Sequence, residues 1–196
     1  MARLKSHGIT RDTPRNIMLG AGSFYKNLKF DPAVNNWTHD GVIGATAGGG
    51  TINIEPEYYR PDIDGATVAV KNLIFKISET ATLEVTMTEI GQDMLKHALH
   101  LREELTTAAG YTKLVSTRQL TEDDYFDSIG FNGKLADGRQ FIFILPNATC
   151  TGALEMNPQN EEAATYSVTF EATASLEDDS LNHLPYEIYY PNLPSI

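Results

Sequence analysis

Two stretches of this chain alternate apolar and polar side chains with a period of two, and that alternation constrains the fold more than any other feature. In residues 80–90, TATLEVTMTEI, Ala81, Leu83, Val85 and Met87 interleave with Thr80, Thr82, Glu84, Thr86 and Thr88. In residues 165–175, TYSVTFEATAS, Tyr166, Val168, Phe170, Ala172 and Ala174 interleave with Thr165, Ser167, Thr169, Glu171, Thr173 and Ser175. Successive side chains of a strand point to opposite faces of its sheet. Each stretch therefore predicts a strand with one face on a core and the other in water. The wet faces hold Thr, Ser and Glu, with no Lys or Arg.

Weaker signals fill in the rest. The β-branched run VAVKNLIFKI (68–77) predicts another strand. Asp137-Gly138 favours a tight hairpin between strands over Tyr125–Leu135 and Arg139–Leu145, and a further strand is expected within Ala148–Met156. Met94, Leu95, Ala98, Leu99, Arg102 and Leu105 recur at helical spacing, which predicts one helix over Gln92–Leu105. Residues 44–65, GATAGGGTINIEPEYYRPDIDG, read as a long loop interrupted at most by a short strand at Ile52 and Ile54. The first 40 residues lack sustained periodicity, although GSFYKNLKF (22–30) can hold a short strand. The expected class is mainly β: one domain, a β-sandwich or barrel-forming subunit with one flanking α-helix. It carries an N-terminal arm (1–30), the long loop (44–65) and a proline-rich C-terminal arm (176–196).

Charge is distributed unevenly. Residues 1–30 carry Arg3, Lys5, Arg11, Arg15, Lys26 and Lys29 against Asp12, a net of +5, which leaves −16 for the remainder of a chain whose formal charge is −11. After Arg139 no Lys or Arg occurs. A chain basic at one end and acidic at the other can attract copies of itself head to tail, and it can equally be a solubilising acidic surface with a loose basic arm. No apolar run approaches the roughly 20 residues of a membrane span. The basic N-terminus has no apolar stretch behind it, so a signal peptide is not expected. The single cysteine, Cys150, excludes an intrachain disulfide framework.

Candidate chemistry does not converge. GATAGGGT lacks the Gly-Lys-Ser/Thr ending of a phosphate-binding loop and precedes a strand pattern rather than a helix. Asp62 and Asp64 before Gly65 suggest a calcium loop, but Arg60 and Lys71 occupy its two end ligand positions. His97, His100 and Glu104 fall on nearly one helix face; without an HExxH arrangement they read as an ordinary polar face turned outward or toward a neighbour. Ser23 lacks the second glycine of a nucleophile elbow. Cys150 reads as a packing residue, and Asp123, Asp124 and Asp127 as a solvated acidic turn. Nothing here specifies an enzyme, a cofactor or a metal. The overall negative charge also disfavours nucleic-acid binding.

The order of features over residues 41–76 (GVIGATAGGGTINIEPEYYRPDIDGATVAVKNLIFK) and 81–99 (ATLEVTMTEIGQDMLKHAL) resembles the tail tube, or major tail, proteins of siphophages. In that family a glycine-rich turn leads through acidic, arginine and Asp-Gly positions into a strand pair and then the helix. Glu55, Glu57, Arg60, Asp64 and Gly65 hold similar places here, and residues 161–175 look like the closing strand. The first 40 residues and the C-terminal arm carry no resemblance.

The resemblance implies a non-enzymatic β-sandwich subunit, related in fold to contractile-tail and type VI secretion tubes. Six copies would join their sheets into a ring, and rings would stack into a hollow tube that conducts DNA during ejection. Thr82, Glu84, Thr86, Ser167, Thr169, Glu171 and Thr173 would face the lumen. Gly48, Gly49, Gly50, Glu55, Glu57, Tyr58, Arg60 and Asp64 would belong to a loop reaching the next ring. The charge asymmetry, rather than the resemblance, predicts that Arg3, Lys5, Arg11 and Arg15 form a subunit-contact arm near acids of the 155–187 region. Implied partners are other copies of the chain, a tape measure protein in the lumen during assembly, and tail-terminator and tail-tip proteins. DNA would only pass through, and no membrane is involved. The implied location is the virion tail, assembled in the host bacterial cytoplasm. Other readings are a tail-terminator or head-completion ring protein, which would cap rather than polymerise, and a secreted β-sandwich binding module.

Overall fold

The computed structural model describes residues 7–65, 67–89, 91–158, 160, 163–175 and 185–192. It is mainly β, with antiparallel pairing throughout. A short helix α1 (Thr13–Asn16) precedes β1 (Ser23–Lys26), β2 (Lys29–Asp31), β3 (Asn36–Thr38) and β4 (Thr46–Tyr59). Then follow β5 (Phe75–Met87), helix α2 (Gln92–Leu99), β6 (Leu101–Glu104) and β7 (Lys113–Ser116). A single 3₁₀ turn at Glu122–Asp124 leads into β8 (Phe126–Lys134), β9 (Gln140–Cys150), β10 (Glu155–Asn157), β11 (Thr165–Ala172) and β12 (Glu187–Tyr189). Eight strands form one sheet in the order β1-β8-β9-β11-β5-β4, with β10 added to β11 and β12 to β9. The pairs β2-β3 and β6-β7 are separate ribbons.

The sheet folds over on itself because β9 serves both halves. Its first part pairs with β8 along Gln140–Ala148, and its last residues Ala148–Cys150 pair with β11. Just before the changeover at Ala148 stand Pro146, which has no N–H to give, and Asn147, whose φ of 45° is left-handed. The Asn147 carbonyl accepts from the Thr173 amide at 3.2 Å and from its hydroxyl at 2.6 Å. The apolar faces of β8-β9 and β11-β5 thereby come together. Ala81, Leu83, Val85 and Met87 meet Val168, Phe170, Ile129, Phe143 and Leu145 in one buried cluster, which Phe24, Ile43, Met94 and Ala98 close. Both alternating stretches form strands with the expected apolar faces inward.

Residues 44–65, expected as a loop, are mostly a 14-residue strand. The glycines are used for close fit rather than flexibility. Gly48 and Gly49 have φ of 76° and 83° where the register slips between Thr46 and Gly50. A Cβ on Gly50 would lie 2.6 Å from the Phe24 ring and 2.7 Å from the Glu84 carbonyl. Pro56 is tolerated because β4 is an edge strand. The strand expected at 68–77 begins only at Phe75; Val68 and Val70 are exposed, with no strand opposite them to use their β-branched shape.

The helix is shorter than expected. It stops at Leu99, capped by His100 in the left-handed region (φ 51°), and the chain turns into β6, which pairs with β7. Met94 and Ala98 are its buried residues, Leu95 is half-buried, and Leu105 lies beyond it, 98% exposed. The strand expected within Ala148–Met156 is split between the end of β9 and β10.

Within the segment expected as an N-terminal arm, residues from Ile17 onward are built into the fold. Met18 bridges to Leu135, Leu19 N donates to the Lys134 carbonyl at 2.9 Å, and β1 pairs with β8. Of the C-terminal arm, residues 176–184 and 193–196 lie outside the described residues, and β12 pairs with β9.

Candidate functional surface

The polar halves of the two alternating strands share one face, in register. Thr82 stands opposite Glu171, Glu84 opposite Thr169, and Thr86 opposite Ser167. On the other side β4 sets Thr51 beside Glu84, Asn53 beside Thr82, Glu55 beside Thr80 and Glu57 beside Ser78. Directly opposed residues of an antiparallel pair point the same way, so three strands present a continuous field of hydroxyls and carboxylates. Ser78 Oγ donates to Glu57 Oε2 and Asn53 Nδ2 to Glu55 Oε1, each at 2.7 Å. Glu84 is exposed, while Thr82, Thr86, Ser167, Thr169 and Glu171 are half-buried. No Lys or Arg occurs in β4, in β11 or in β5 beyond Lys76. Thr173 lies past the end of β11, and its hydroxyl is committed to the Asn147 carbonyl.

Beside this face, β4 forms a terminal strand of the sheet. Such an edge offers a row of backbone donors and acceptors to another strand. The β4-β5 hairpin also runs past the core. Tyr59, Phe75 and Ile77 near its end are exposed, and the connecting segment forms a groove of about 380 Å³ lined by Arg60, Ile63, Val68, Val70 and Ile74, among others. Of the residues expected in an inter-ring loop, Gly48, Gly49, Gly50, Glu55, Glu57 and Tyr58 are on β4, and Arg60 and Asp64 follow it.

Of the expected contact arm, Arg3 and Lys5 lie outside the described residues. Arg11 and Arg15 are exposed and have no carboxylate partner among the described residues.

The helix-face reading of His97, His100 and Glu104 does not survive, because the helix ends between them. The His97 ring packs on Phe126 with centroids 4.2 Å apart, and the burial this brings lowers its pKa despite Asp93 nearby. His100 Nε2 lies 2.9 Å from the Cys150 carbonyl, and its Nδ1 is 3.5 Å from Asp124 Oδ1. Glu104 sits on β6 and pairs with Lys113 across the ribbon. Asp124, read as part of a solvated turn, is 1% exposed. Arg102 grips it, Thr121 N donates to its Oδ2 at 2.8 Å, and the Thr149 hydroxyl donates to its carbonyl at 3.0 Å. The signal for this was present: Thr121-Glu-Asp-Asp124 is a Ser/Thr-x-x-acid capping pattern, and the turn shows both bonds of a capping box. Cys150 is buried, and burial pushes its thiol up to about 12, in keeping with a packing role.

No family model matches the chain, and no curated protein matches it in sequence. Among solved structures, a chain of the anti-feeding prophage tube-terminating cap is similar at 14% identity and a TM-score of 0.44, over 97% of each chain. A chain of the extracellular contractile injection system (PVC) sheath-tube complex is similar at 12% identity and a TM-score of 0.41, over 79% of this chain and 87% of that one. A chain of the native gene transfer agent virion is similar at 10% identity and a TM-score of 0.39, over 79% and 92%.

Proposed function

We propose that this chain is a structural, non-enzymatic subunit of a phage tail tube, polymerising as stacked hexameric rings into a hollow conduit for DNA. The observation that carries the reading is the in-register polar face of β4, β5 and β11, free of Lys and Arg from Ser78 onward, which ends at the exposed edge of β4. A wide barrel with an aqueous lumen needs that combination: apolar side chains outward on a core, hydroxyls and carboxylates inward, and no sheet edge left over once copies join. Glu55, Glu57, Glu84 and Glu171 from every copy would repel phosphates, so DNA would slide without sticking.

In this reading the β4-β5 hairpin replaces the expected loop as the element that reaches the next ring, and the exposed arginines of the N-terminal segment meet acids of another copy. A heterologous contact of this kind can repeat along an axis. A tape measure protein would occupy the lumen during assembly in the host cytoplasm, and terminator and tip proteins would close the ends of the tube in the virion. Negative-stain microscopy of the purified chain tests the proposal. Tubes with sixfold end views are expected. Isolated rings would indicate a capping protein, and monomers at high concentration would sink the reading.

A further inference from the structure

The Arg139 side chain lies where both ends of the described chain meet, only 14% exposed. Its Nε donates to Asp137 Oδ2 at 2.6 Å, which fixes the plane of the guanidinium. Nη1 donates to the Pro191 carbonyl at 2.9 Å; Nη2 donates to the Arg15 carbonyl at 3.5 Å and to Asn16 Oδ1 at 3.3 Å. Tyr190 Oη closes the ring by donating to the same Asn16 Oδ1 at 3.2 Å. The turn that carries Arg139 is itself rigid, with Leu135 N donating to the Arg139 carbonyl at 2.8 Å and Gly138 in the left-handed region (φ 90°).

We infer that Arg139 is a positioning residue that couples the segments around residues 15–16 and 190–191 into one composite contact for a neighbouring copy of this chain. This rests on the tube reading above for the identity of the neighbour. The acceptors are two backbone carbonyls and an amide oxygen spread around one planar fork. Lysine supplies the charge but cannot reach three directions from a fixed plane, so the role belongs to the guanidinium geometry. Because one side chain holds both segments, movement of either alters the hold on the other. The ends present one joint surface, and capture of the N-terminal segment by a neighbour is felt at residues 189–191.

The test uses the full chain with Arg139→Lys and Arg139→Gln, and peptide-resolved amide hydrogen exchange of free subunits. Segments 15–19 and 187–191 should both exchange faster, by about tenfold, as expected when one or two hydrogen bonds that hold an end are lost. The spectrum and melting of the β core should be unchanged, and tube yield should fall in both variants. A second variant, Asn16→Ala with Tyr190→Phe, leaves the turn intact and should loosen the same two segments. Loosening of one end alone overturns the coupling, as does loosening of neither. Loosening of both ends with normal tube yield overturns the role in assembly. If the wild-type chain forms no tubes, the tube reading fails, while the exchange data still decide the coupling.

Discussion

Arg102 Nη1 donates to Asp124 Oδ1 at 2.8 Å while its second terminal nitrogen reaches Oδ2, so one guanidinium forks onto one buried carboxylate. The fork ties the β6-β7 ribbon to the turn that starts β8. The hydrogen bonds from Arg102, followed by that from the Thr121 amide, outweigh burial and hold the Asp124 carboxyl far below the usual carboxylate range.

A depressed carboxyl pKa contributes stability that is complete above the unfolded-state value near 3.9 and is lost as pH falls toward the folded value. Asp124→Asn should therefore cost about 1.5–3 kcal/mol at neutral pH, the scale of hydrogen bonds to a charged group. It should also flatten the decline in stability below about pH 5. Urea unfolding from neutral to acid pH measures both. Parallel curves for wild type and variant would show that this carboxylate is not the anchor.

For the lumen, Glu84→Lys with Glu171→Lys should leave rings and tubes intact while slowing DNA ejection, since each ammonium can hold a phosphate. Single-particle ejection kinetics at low and high salt report this. An unchanged rate at low salt places these side chains away from the DNA path.

For stacking, replacing residues 60–74 by a tight two-residue turn keeps the β4-β5 ladder and removes the exposed tip. Folded subunits that form single rings but no stacks are expected in sedimentation and microscopy. Tubes of normal length would refute the inter-ring role of the tip. This excision is cleaner than removing Gly48–Tyr58, which would delete the edge strand itself.

In the core, Phe170 is fully buried, and Phe170→Ala should cost about 3–5 kcal/mol. Leu95, half-buried on a helix only eight residues long, should cost about 1 kcal/mol as alanine. Denaturant midpoints that ranked the two the other way would overturn the packing described here.

The basic arm should act on rate. Surface ion pairs are worth roughly 0–1 kcal/mol each, so Arg11 and Arg15 would steer encounter more than they hold it. Assembly followed by light scattering should slow as the Debye length falls below about 8 Å, and removal of residues 2–15 should abolish that salt dependence. A truncated chain with the same rate and salt response would leave the charge asymmetry as solubility alone.

Much of the fold was legible where the local pattern had no competitor. Leu83, Val85, Val168 and Phe170 alternate with polar residues and are buried as that period requires. Cross-strand register was not legible, yet it is what aligns Glu84 with Thr169 and makes one face from two distant stretches. The β4 strand was hidden because its glycines mark close approach to Phe24 and a register slip, which in sequence look identical to a flexible loop. The helical spacing that runs on to Leu105 is interrupted because Leu101–Glu104 meets a partner strand, and pairing outweighs propensity. Asp124 departs from a solvated turn for a similar reason: its acidic neighbours suggest solvent, and the distant Arg102 draws it inside.

The uniform sign of the polar face also bears on when copies of this chain can meet. β4 and β5 are neighbours in sequence and can pair within about 1–10 μs of emerging. The strand that completes the β5 ladder, β11, is synthesised only after β6 through β10, at about 5–20 residues per second. For that interval the nascent hairpin holds two bare edges. Glu55, Glu57 and Glu84 give every such hairpin the same charge, which disfavours edge-to-edge pairing of two nascent copies until β11 has covered the β5 edge.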